Sequence, residues 1–178
     1  MKRLFIALDL PKACQQELRA IDPGIAGLRW LKAETMHVTL SFLGDVGDHA
    51  QERLEDALQQ IRVPHFFLDL HGLGSFGGAR PTVVWAGVGK GHPHLFALYK
   101  HIQDAVLKAA LEPDLRSFHP HITIGRARNV SRAALQPFLK KHAKTEFGLW
   151  RVNEFALFSS LLSSNGATHS LERRYALA

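Results

Sequence analysis

The sequence predicts an α+β protein in which antiparallel strand pairs lie between helices, rather than a strict strand–helix alternation. Three observations carry this. Apolar spacing switches repeatedly between period two and helical period along the chain. Strand-like runs follow one another without a helix at 66–88 and again in the tail. No Pro- or Ser-rich linker divides the 178 residues, so one ordinary domain, or two small lobes sharing a core, is expected over 1–178.

The elements follow in order. Arg3 to Leu8 reads as a buried strand. Pro11 suits the first turn of a helix carrying Cys14, Leu18 and Ile21, ended by Pro23 and Gly24. His37 to Leu43 alternates as a strand closed by Gly44. Asp48 with Gln51 three residues on has the pattern of a capping box, before a helix with Leu54, Leu58 and Ile61 on one face. Phe66 to Leu70 is a strand, followed by a flexible loop from Gly72 to Pro81 with four glycines around Phe76. Thr82 to Val88 is a strand containing Trp85. A long helix carries Leu95, Leu98, Tyr99, Ile102 and Val106. A further strand spans His121 to Ile124, ending at Gly125, and Ser131 caps a short helix with Leu135 and Leu139. The tail, 147–177, reads as two strands joined by the turn Ser163-Ser164-Asn165-Gly166. Phe42, Trp85 and Trp150 are expected in the core, and Ser159, Ser160, Ser163 and Ser164 in turns.

Composition narrows the class. Hydrophobic residues make up 46% and charged residues 21%, which supports a sizeable core and argues against global disorder. The formal net charge of +6 suits a polyanionic partner, although solubility alone accounts for such a value in many proteins. Cys14 is the only cysteine, so no disulfide framework and no thiolate zinc site is available. Asp9 and Pro11 cut the first apolar run to Leu4–Leu8, too short for a signal peptide. No apolar stretch reaches membrane-spanning length. A soluble, cytoplasmic protein is expected, and nothing demands more than a monomer.

One tetrapeptide occurs twice: His37-Val38-Thr39-Leu40 and His121-Ile122-Thr123-Ile124. Strand period two sends each His and Thr to one face and each aliphatic pair into the core. Two such strands facing one another would gather two imidazoles and two hydroxyls around one cleft. That set suits in-line displacement at phosphorus. One neutral imidazole takes a proton from water while a protonated one gives a proton to the leaving oxygen. The hydroxyls stabilise the charge that builds on the non-bridging oxygens. A strained cyclic phosphate requires no metal for this, and no cofactor is expected. A single His-x-Thr is ordinary surface decoration; the repetition in matching settings is what points to function.

These motifs and the opening Arg3-Leu4-Phe5-Ile6-Ala7-Leu8-Asp9-Leu10-Pro11 resemble the 2H phosphoesterase superfamily, and within it the RNA 2′,3′-cyclic phosphodiesterase family, also called LigT-like or 2′-5′ RNA ligase. The likeness extends through Ser41-Phe42-Leu43-Gly44 after the first motif and through Phe118-His119-Pro120 and Gly125-Arg126 around the second. It implies two lobes, each a small antiparallel sheet flanked by helices, related by a pseudo-two-fold with the cleft between them. It implies hydrolysis of a terminal 2′,3′-cyclic phosphate to a 2′-phosphomonoester, with His37 as proton donor and His121 as acceptor, and with Thr39 and Thr123 on the phosphate. The partners implied are RNA ends, tRNA half-molecules among them, joined reversibly through 2′-5′ linkages by the same acid–base pair.

Arg126 occupies a family arginine position and would grip phosphate bidentately, but its odd offset from His121 points it to the opposite face of an ideal strand unless Gly125 relaxes that by a bulge or bend. Phe76 and Arg80 fall where the family has an aromatic and an arginine, and would meet a terminal base and its ribose or phosphate. His119 shares a face with His121 by period two, as a further ligand-facing imidazole or a support. His92 and His94 read as exposed at a helix start. Two alternatives remain open from the residues alone: a histidine–metal hydrolase using His37, His119 and His121, and a non-catalytic RNA-binding module. Within the superfamily, the cyclic phosphate of an ADP-ribose derivative or another 2′-5′ bond is an alternative substrate.

Overall fold

The computed structural model describes residues 1–89 and 92–178. Among these residues nine strands form one curled antiparallel sheet. They are β1 (Lys2–Asp9), β2 (Leu28–Trp30), β3 (His37–Val46), β4 (Phe66–Phe76), β5 (Val83–Val88), β6 (His121–Ala127), β7 (Glu146–Val152), β8 (Glu154–Ser163) and β9 (Gly166–Ala176). Among the described residues four α-helices accompany them: α1 (Lys12–Ala20), α2 (Asp48–Gln59), α3 (Pro93–Lys108) and α4 (Arg132–Lys141). The strand order is β7-β4-β5-β6-β3-β1-β8-β9, with β2 paired to the side of β6. The sheet therefore reads as two half-sheets, β6-β5-β4-β7 and β3-β1-β8-β9. They meet where the two His-x-Thr strands touch, through the single registered pair Val38↔Ile122. Strand β1 is sandwiched between β3 and β8, so Leu4 to Leu8 is buried without interruption.

Period-two alternation sorts the strands as expected. Val38, Leu40, Ile122 and Ile124 are all buried. On neighbouring strands Leu4, Ile6, Leu8, Val84, Ala86 and Val88 join them in one core with Leu54 and Leu58 of α2 and with Leu95, Leu98, Ile102 and Val106 of α3. Ser131 caps α4 by accepting from the Ala134 N–H at 3.1 Å. The tail hairpin closes on the expected turn, with Ser163 opposite Gly166.

Several elements depart from expectation. The tail holds three strands, because β7 pairs with β4 while only β8 and β9 form the hairpin. Ser159 and Ser160 therefore lie within β8 rather than in a turn. β4 runs on to Phe76, so the expected loop from Gly72 shrinks to a short connection after it; pairing with β5 supplies the hydrogen bonds that local glycine content argued against. β3 continues past Gly44 to Val46, since Gly44 takes a left-handed φ of 69° beside a register shift instead of ending the strand. The capping box at Asp48 is not formed. Gly47 is the N-cap, and the Gln51 side chain donates to Glu55 at 2.8 Å and to Glu172 of β9 at 3.4 Å. His92 is half-buried against Phe66, while His94 is exposed. No helix is long and apolar enough to cross a membrane among the described residues.

Candidate active site

The central pair Val38↔Ile122 fixes the site. Extending that antiparallel register by one residue each way sets His37 across from Thr123 and Thr39 across from His121. All four point away from the core, and all four are half-buried. The face of the curled sheet opposite the core thus carries the two imidazoles and two hydroxyls that the repeated tetrapeptide promised.

Each imidazole is aimed by the same device. His37 Nδ1 donates to the Thr35 carbonyl at 2.8 Å, and His121 Nδ1 donates to the His119 carbonyl at 2.6 Å. A carbonyl only accepts, so the proton of the neutral ring sits on Nδ1 and Nε2 keeps its lone pair. On His37 that Nε2 accepts from the Thr39 hydroxyl at 3.0 Å. Burial first, and then the neighbouring His169 and His121, push the His37 imidazole down to about 4, against the opposing bond to Thr35. Burial also lowers His121; the bond to the His119 carbonyl opposes this, and the His119 ring adds a smaller lowering. In the free protein both rings are accordingly neutral near pH 7.

Arg126 reaches this face through a bulge. On β5, Trp85 lies opposite Thr123 and Val84 opposite Gly125, so Ile124 is skipped in the register. The parity flips there, and Arg126 pairs with Val83 on the same side as His121 and Thr123. Strand β3 carries a matching irregularity: Ala7 faces Thr39 and Ile6 faces Ser41, skipping Leu40. Phe42 therefore emerges on the site face opposite Phe5 and is 57% exposed, which corrects its expected place in the core.

Aromatic rings wall the histidines on both sides. Phe76 stands edge-on to His121, 5.0 Å between centroids, and edge-on to His119 at 5.4 Å. Trp85, expected in the core, is instead half-buried beside His119 at 5.2 Å. Its indole lies over Gly74, where an added Cβ would come within 2.3 Å of the ring, so only glycine fits beneath it. Around His37 the wall is Phe5 at 5.0 Å and His169 at 5.3 Å. His169, from β9, was missed in the sequence: it has no motif, and only the return of the tail beside β1 brings it near. His119 serves the site with its carbonyl as well as its exposed ring. Arg80 is exposed in the β4–β5 connection, with no side-chain bond to either histidine. Among the described residues no group of three or more His, Cys, Asp or Glu side chains is placed to hold a metal ion.

Known proteins are similar to this chain in sequence and in fold. The chain is 32% identical over 178 residues to a protein of Aquifex aeolicus named RNA 2′,3′-cyclic phosphodiesterase, covering 97% of this chain and 94% of that one. A protein of the same name from Escherichia coli is 34% identical over 156 residues, covering 84% of this chain and 86% of its own. The crystal structure of E. coli LigT in apo form superimposes with a TM-score of 0.82 at 27% identity, across 99% of this chain and 98% of that one. A LigT crystal structure complexed with 3′-AMP matches with the same TM-score at 28% identity. The family profile of the 2′-5′ RNA ligase superfamily matches residues 11–162, and the chain belongs to that superfamily.

Proposed function

We propose that this chain is a hydrolase acting as an RNA 2′,3′-cyclic phosphodiesterase, opening the terminal cyclic phosphate to a 2′-phosphomonoester by two-histidine acid–base catalysis. The observation that carries the reading is the shared aim of His37 and His121. Each has Nδ1 tied to the carbonyl two residues upstream, which leaves Nε2 for chemistry at either side of the registered pair that joins the half-sheets. The whole chain works as one bilobal unit, because neither half-sheet holds both imidazoles.

In this reading His121 takes a proton from water as its oxygen attacks phosphorus, and the P–O3′ bond breaks as His37 delivers a proton to O3′. One water is consumed, and the phosphate stays on O2′. Thr39, Thr123 and Arg126 hold the non-bridging oxygens as charge builds on them. The donor must carry its proton before the reaction, although burial holds His37 neutral in the empty site. An anionic phosphate placed between the rings reverses that balance, since an opposite charge within a few ångströms favours the imidazolium. A 5′-hydroxyl standing where the water stands would yield a 2′-5′ linkage, the joining reaction on tRNA halves, through the same proton transfers.

The test is to offer 2′,3′-cyclic nucleotides in the presence of chelator and identify the isomer formed. A 2′-phosphate as product, with activity lost in His37→Ala and in His121→Ala, is the expected result. A 3′-phosphate product, or activity that vanishes in chelator and returns with metal, overturns it.

A further inference from the structure

The row of residues that contains Arg126 continues sideways across four strands. Phe76 of β4 lies opposite Val83 of β5, Val83 opposite Arg126 of β6, and Arg126 opposite Arg29 of β2. Residues directly opposite in an antiparallel ladder share a face. Arg29 is therefore on the face that carries His121 and Thr123, while its neighbours Leu28 and Trp30 turn into the core. Arg29 and Arg126 are both exposed, and among the described residues neither meets a carboxylate.

Two like charges directly opposite on adjacent strands destabilise the pairing. β2 is only three residues long, so the repulsion falls on a short ladder that the burial of Leu28 and Trp30 holds in place. The surroundings of Arg29 place it at the cleft rather than on an outer surface. A Cβ built on Gly166, in the β8–β9 turn, would lie 3.8 Å from Arg29 Nη1. That turn belongs to the other half-sheet. The guanidinium thus stands where the two half-sheets approach, at the end of the site face beyond Arg126.

We propose that Arg29, beside Arg126, forms a second phosphate subsite for the phosphodiester joining the terminal nucleotide to the rest of an RNA strand. This rests on the reading of the site as an RNA-end phosphodiesterase and adds what part of the substrate it measures. Arg126 serves the reacting phosphate. Arg29 lies one strand further out, a spacing of about 5 Å, and grips the next anion along the chain. The like-charged pair is stabilised when an anion lies between or beside the two guanidinia. A strand end is therefore a better substrate than a cyclic mononucleotide, which has no second phosphate to offer.

The experiment compares kcat/KM for a 2′,3′-cyclic mononucleotide with that for a short RNA oligonucleotide ending in the same cyclic phosphate. The enzymes are the wild type, Arg29→Ala, Arg29→Lys and the charge-matched control Lys108→Ala, on the outer helix α3. Arg29→Ala is expected to lose at least tenfold more on the oligonucleotide than on the mononucleotide, Arg29→Lys to recover part of that loss, and Lys108→Ala to match the wild type on both. In parallel, anisotropy of a labelled oligonucleotide with a terminal phosphate is followed against salt. Loss of one phosphate contact lowers the slope of log K on log salt by roughly 0.7 for a single strand. Equal losses on both substrates, or no loss on either, overturn the subsite, as does an unchanged salt slope. A wild type that opens neither substrate refutes the phosphodiesterase reading instead, and the anisotropy arm then still decides whether Arg29 binds an RNA phosphate.

Discussion

One backbone carbonyl per imidazole decides what His37 and His121 can do. With Nδ1 donating to Thr35 or His119, each ring exposes only Nε2, and burial keeps both neutral until an anion arrives. This separates two pH profiles. The profile of kcat/KM reports the free protein, where both groups titrate below the ordinary histidine value, so its alkaline limb is expected below pH 6.5. The profile of kcat reports the complex, where bound phosphate favours imidazolium, so its alkaline limb is expected at higher pH. Coincident limbs at pH 7 or above in both profiles would contradict the assignment. Because the rings titrate as a pair, the limbs belong to the pair and not to either residue. Replacing either histidine by alanine is expected to lower kcat by 10²-fold or more, the usual scale of general acid–base catalysis. At this scale the sequence was generous where the groups repeat. His37, Thr39, His121 and Thr123 were legible because period two needs no tertiary knowledge. His169 and Trp85 were not, since their approach depends on which strands become neighbours.

Matching bulges in β3 and β6 are the elements' contribution. Skipping Leu40 and Ile124 in the register lets an apolar residue stay in the core while the next side chains change face. In β6 the result is Arg126 beside Thr123; in β3 it is an exposed Phe42. The odd offset of Arg126 from His121 marked in the sequence where a bulge or bend at Gly125 would bring it to the site, whereas nothing marked Phe42, because an apolar residue in an apolar strand reads as core. The same limit applied to β4, whose glycines read as a loop. Gly74 is in fact the floor beneath the Trp85 indole. Two predictions belong to these strands. Arg126→Ala is expected to reduce kcat/KM roughly 10²-fold, the scale of losing one preorganised charge-stabilising donor. Arg126→Lys should restore only part of this, since an ammonium lacks the bidentate fork; full recovery would show that charge alone suffices. Gly74→Ala is expected to displace the indole and disturb the wall beside His119 and His121. A lower melting temperature and a raised KM would register it, and an unchanged protein would show that the indole is free to move.

At the scale of the whole molecule, the two half-sheets share a core behind the site and carry the His37 and His121 rings where they meet. Neutral imidazoles buried at that junction couple folding to pH. For His37 the sign is set by its lowered value. The unfolded chain takes up the proton near pH 6.5, while the folded protein resists it down to about 4. Between those values the unfolded state binds more protons, so stability rises with pH. The full contribution is present above about pH 6.5 and is lost progressively as pH falls toward 4. A difference of this size corresponds to about 3 kcal/mol, a large share of a stability usually between about 5 and 15 kcal/mol. The melting temperature of the free protein is therefore expected to drop steeply over this range. His37→Gln, which cannot titrate, should flatten that drop although it abolishes turnover. Inorganic phosphate gives the complementary measurement. An anion that binds best to the protonated pair should raise the melting temperature more at pH 6 than at pH 8, by the linkage that makes ligand affinity additive to folding. Equal stabilisation at both values, once allowance is made for the charge of phosphate itself, would mean that the anion does not sit between the two imidazoles.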